Sequence, residues 1–170
     1  DRFLTVPAFA VEKCKGLVDN MANMAVATFK KSISLLDDYD NALFGENEKL
    51  ESTVDKYEDK TSTYLVKIAA HQMSTTDSKA VTELLHCIGD IERISDHSLN
   101  IAKTAREISE KNLSFSESAY NDVNIIMSAV SDILDITSKS LINDDLDLAK
   151  HVEPLEQVID RLKRKIKAGH

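Results

Sequence analysis

The 170-residue sequence predicts an all-α fold, an antiparallel up-down bundle of long helices. Apolar residues recur at steps of three and four over long stretches, the spacing of one helical face. Glycine (4), proline (2) and aromatic residues (5%, no tryptophan) are too scarce for a sandwich or barrel, which turns about every 8 to 12 residues. Hydrophobic residues make up 42% of the chain, enough for the core of one ordinary domain.

The first helix opens near Pro7, where a missing N–H costs nothing, and carries Val11, Cys14, Leu17, Met21, Met24, Ala25, Phe29, Ile33 and Leu36 on one stripe. Asp37, Asp38, Asp40, Asn41 and Gly45 form a polar break. A second stripe, Leu50, Val54, Tyr57, Tyr64, Leu65 and Ile68, ends near Met73. Ser74 to Ser78 are residues that cap free N–H groups, so a third helix opens there. It runs through Val81, Leu84, Ile88, Ile91, Leu99 and Ala105 to about Lys111. Ser114 and Ser116 cap a fourth, with Val123, Ile126, Val130 and Leu134, broken by Asn143, Asp144 and Asp145. A fifth segment holds Leu148, Val152, Leu155, Ile159, Leu162 and Ile166. Short connections make successive helices antiparallel neighbours.

Residues 34–55 (SLLDDYDNALFGENEKLESTVD) and 140–160 (SLINDDLDLAKHVEPLEQVID) repeat one pattern with a single deletion: helix end, acidic break, helix start, then Glu-x-x-x-Asp. The repeating unit is three helices. Residues 1–111 form the first unit and 112–170 the first two helices of a second, packed as one domain. With no initiator Met at Asp1 and a helical pattern still running at the end, the chain reads as a piece of a longer protein.

The net charge of −8 repels phosphate backbones, which argues against nucleic-acid binding. No stretch approaches the roughly 18 apolar residues of a membrane span, and the opening lacks the regions of a signal peptide. Nine acids stand against three lysines between Asp37 and Lys60. Arg161, Lys163, Arg164, Lys165 and Lys167 crowd the other end and read as a solvated helix face. Cys14 and Cys87 have no metal or redox spacing and read as core thiols in a reducing cytosol.

Glu51 and Asp55 on the second helix, and Glu92 and Asp96 on the third, are pairs four residues apart and therefore each on one face. Angular bookkeeping puts both pairs on the flank of the apolar stripe, at the bundle rim. Two readings stand: a solvated acidic rim, or four carboxylates converging on a hard cation. His97 is either a nitrogen ligand or an exposed histidine. Asp90, Arg93, His97 and Asn100 share another face with the spacing of a salt-bridge ladder. A di-iron oxidase needs two Glu-x-x-His pairs, and only Glu83 with His86 has that spacing. There is no GxSxG, P-loop or HExxH.

The string Ile88 to Ala102, IGDIERISDHSLNIA, together with Leu50 to Asp55, LESTVD, resembles the PhoU family of phosphate-uptake regulators. The opening, DRFLTVPAFAVEKC, resembles the stretch leading into the PhoU-like domain at the C-terminus of bacterial sodium/phosphate cotransporter family proteins. The resemblance implies tandem three-helix units, a cytosolic role beside the membrane, and iron, zinc or manganese held by Glu51, Asp55, Glu92 and Asp96. Glu156 and Asp160 would supply half of a second cluster, which the absent third helix of that unit leaves incomplete. Helices four and five then expose a face that a homodimer could cover.

The expected function is a regulatory domain that docks on a membrane transport domain, of the same full-length chain, and modulates phosphate uptake. The alternatives are a free-standing regulator acting on a separate transporter or sensor kinase, and a carboxylate-bridged metal enzyme.

Overall fold

The computed structural model describes residues 7–169. Residues 1–6, which carry part of the likeness of the opening to the cotransporter proteins, and residue 170 lie outside the described residues. Every element is helical: α1 (Pro7–Asp37), α2 (Asn41–Ala69), α3 (Thr75–Glu110), α4 (Glu117–Asn143), the single turn α5 (Leu146–Ala149) and α6 (Val152–Gly169). There is no strand among the described residues.

Polar side chains set the boundaries by accepting from N–H groups that a helix start leaves free. Ser74 accepts from Asp77 N at 3.0 Å and Ser116 from Ala119 N at 3.2 Å. The break after α1 is shorter than the sequence predicts. Asp40 caps α2 by accepting from Leu43 N at 2.6 Å, and Phe44 is buried in a cluster with Leu35, Leu99 and Ala102. That cap and that anchor draw Asn41 to Gly45 into the helix. The predicted last helix is divided, because Lys150 and His151 separate α5 from α6.

The repeated stretch opens its second helix alike in both places, although the second copy is then interrupted after one turn. Asp145 caps α5 as Asp40 caps α2, accepting from Leu148 N at 2.9 Å. The fates of the two hairpins then differ. Helices α1, α2 and α3 pack on one another, and each buries a full stripe. Helix α4 packs on α1, and α6 on α4, without a buried residue in either.

The core of α1–α3 has two apolar clusters. One gathers Val18, Met21, Val54, Leu65, Ile68 and Ile88, the other Leu35, Phe44, Leu99, Ala102 and Ala105. Along each helix, buried polar residues fall between them: Thr28 and Ser32 on α1, Asn47 on α2, Ser95 and Ser98 on α3. Asn47 donates to Ser32 Oγ at 2.6 Å, and Ser32 donates to Thr28 O at 2.8 Å. The oxygens Asn47 Oδ1 and Ser95 Oγ are buried without a partner.

Candidate functional site

On α3 the buried positions Ile88, Ile91, Ser95 and Leu99 define the inward face, which leaves Glu92 and Asp96 on its edge. On α2 the buried Asn47 and Val54 bracket Glu51 in the same way, and Asp55 follows one turn later. Antiparallel packing of α2 on α3 brings the two edges together. Glu51 and Glu92 each come within hydrogen-bonding reach of the Asp96 carboxyl. All four α2 and α3 carboxylates named by the sequence therefore meet at one rim.

The electrostatics reflect that crowding. Burial, then the hydrogen bond to Asp96 and the charges of Asp96 and Asp55, raise the Glu51 carboxyl above its ordinary value, against the pull of Lys103. Burial and the charges of Asp96, Glu58 and Asp55 raise Glu92 as well, with a further contribution from its hydrogen bond to Asp96. Glu58 is a member of the cluster that the sequence reading missed. It lies three residues after Asp55, so carrying the Glu51–Asp55 face one turn further would have found it.

Glu156 and Asp160 stand elsewhere. Both are on α6, which packs on α4, and Asp160 pairs with Lys163 at 3.5 Å. His97 is exposed and lines an apolar groove of about 320 Å³ with Phe29, Ile94, Ile126 and Met127, so it gives the carboxylates no nitrogen ligand. Among the described residues no ion pair joins Asp90 to Arg93, so the predicted ladder is absent; Glu83 pairs with Lys79 at 3.6 Å instead. Cys14 is buried and its thiol is pushed up to about 11 by desolvation. Cys87 is half-buried rather than in the core, and burial raises its thiol too, so both are weak nucleophiles.

The donor set fits a hard cation in kind: oxygen ligands only, with a deficit of positive charge. A preassembled geometry is lacking, because among the described residues no three His, Cys, Asp or Glu side chains are arranged to hold a metal ion.

Residues 18–105, just over half of the chain, match the PhoU domain family. The chain belongs to that family. The match begins in α1 and ends near the close of α3, so the whole PhoU carboxylate rim lies inside it and Glu156 and Asp160 lie outside. No curated protein and no solved structure matches significantly. PhoU proteins are regulators rather than enzymes, and membership points to a role in regulating phosphate uptake. No described helix is long and apolar enough to cross a membrane.

The raised carboxyls make the metal-free PhoU bundle pH-sensitive. Between the ordinary glutamate value and the raised ones, the folded state binds more protons than the unfolded chain. The stabilisation is complete below the ordinary value and disappears as pH rises through the raised values. In a chelator, urea titrations should show the Glu51→Gln, Glu92→Gln variant gaining about 0.5–1 kcal/mol on the wild type at neutral pH and nothing at pH 4. An equal difference at both pH values would refute the assignment.

Proposed function

We propose that this PhoU domain is the cytosolic regulatory domain of a sodium-dependent phosphate transporter, acting on the membrane transport domain of its own full-length chain by protein contact. The observation that carries the reading is the family match over α1–α3. The opening residues, similar to those that precede such domains in the cotransporter proteins, support attachment to a carrier. The carboxylate rim is the natural input: Glu51, Asp55, Glu92 and Asp96, with Glu58, bind a metal ion whose occupancy changes the docking surface. An all-oxygen set suits manganese or iron better than zinc, which favours nitrogen and sulfur.

Regulation is tested in cells of the source species by deleting the codens for residues 7–169 in frame and following labelled phosphate. Uptake under plentiful phosphate should rise, and the Glu51→Gln, Asp55→Asn, Glu92→Gln, Asp96→Asn variant should reproduce the deletion while the protein stays at normal abundance. Unchanged uptake in the deletion strain would overturn the regulatory reading.

A further inference from the structure

We propose that the C-terminal end of α6 is a docking surface for an anionic membrane. The inference goes beyond the regulatory reading and does not depend on it. All 29 acids of the chain lie in residues 1–160, with 16 of the 21 lysines and arginines, a balance of −13. The last ten residues hold the other five cations and no acid. From Arg161 to Lys167 every residue is basic except Leu162 and Ile166. Those two are half-buried, four residues apart, on the side of α6 that meets α4, and all five cations are exposed.

Among the described residues the molecule pairs only one of these charges itself. Lys163 pairs with Asp160 at 3.5 Å, and no ion pair reaches Arg161, Arg164, Lys165 or Lys167 among the described residues. Arg161 Nε and Arg164 Nε donate to carbonyls of their own helix, Gln157 O and Asp160 O, both at 3.2 Å, which leaves their charge facing water. Val158, 42% exposed, adds an apolar side chain one turn before the cations.

A cluster of about four to eight Lys and Arg on an amphipathic helix is what an anionic lipid surface attracts. Flexible basic stems can converge on a plane from both flanks of a helix. Charges further than about 8 Å from the contact are screened at physiological salt, so the acidic body does not cancel the attraction of an end that touches first. Docking by this end would orient the bundle, with α6 at the membrane.

Flotation of the 170-residue chain with phosphatidylglycerol/phosphatidylcholine vesicles tests the surface without transporter or phosphate. Binding to these vesicles at low salt, none to pure phosphatidylcholine, and loss in high salt are expected. The Arg161→Gln, Lys163→Gln, Arg164→Gln, Lys165→Gln, Lys167→Gln variant should bind at least about tenfold more weakly. A control that removes the same charge, Lys49→Gln, Lys56→Gln, Lys60→Gln, Lys67→Gln, Lys139→Gln, should keep binding. Circular dichroism verifies that each variant is folded. Failure to float with the anionic vesicles, or an equal loss in the control, would overturn the proposal. So would self-association that the α6 variant abolishes while no vesicle binding is seen, since the partner would then be a second copy.

Discussion

Replacing Ile88 by alanine will lower the unfolding free energy by about 2–5 kcal/mol, whereas Leu134→Ala will cost about 1 kcal/mol or less. Ile88 is fully buried, packed in the cluster with Val18, Met21, Leu65 and Ile68, and the surrounding helices meet on all sides. Truncation there removes transfer free energy and leaves a cavity that three mutually packed helices cannot close. Leu134 is a residue of the same type at the same kind of periodic position. It is half-buried on the wall of an open groove between α4 and the first three helices, where water already reaches the side chain. For a chain of this length each kcal/mol moves Tm by about 2–4 °C, so the two variants separate clearly in thermal melts. Equal losses at the two positions would mean that α4 and α6 share the core of α1–α3, contrary to the burial pattern.

That asymmetry marks where sequence reading succeeds and where it stops. The stripes through Met21, Leu65 and Ile88 are visible in the sequence because burial on one face writes a period of 3.6 residues. The stripe through Ile126, Val130 and Leu134 is equally regular, yet none of these residues is buried. Periodicity records which face is apolar and not what covers it. The structure starts α2 earlier than the local signal does, because Gly45 and the run of acids outweigh Phe44 by local propensity, while the contact of Phe44 with Leu99 and Ala102 is made across about 55 residues of chain. Spacing was sufficient to place Glu51, Asp55, Glu92 and Asp96 at the rim. Their meeting depends on the register of α2 on α3, which no local pattern encodes, and the buried Asn47, Ser95 and Ser98 carry no sequence signal of their own, because single polar residues inside a stripe look like noise.

Manganese will raise the melting temperature of the isolated domain by several degrees at pH 7, and the Glu92→Ala, Asp96→Ala variant will show no such rise. A ligand that binds only the folded chain stabilises it by RT ln(1 + [L]/Kd), about 2.7 kcal/mol at a hundredfold excess over Kd. The rim offers a cation more than ligands. Burial and the Asp96 charge raise the Glu51 and Glu92 carboxyls above their ordinary values, so a cation bound among them also relieves the repulsion between α2 and α3. The gain must therefore shrink as pH falls toward the ordinary carboxylate range, since each bound ion then has to displace more protons. Elemental analysis of protein purified without a chelating tag, beside the double variant, ties the stabilisation to a bound ion. A thermal gain of equal size in the variant would place the ion elsewhere. No gain at any pH would make the rim a solvated acidic edge, and the signal to the carrier would have to enter the bundle by another surface.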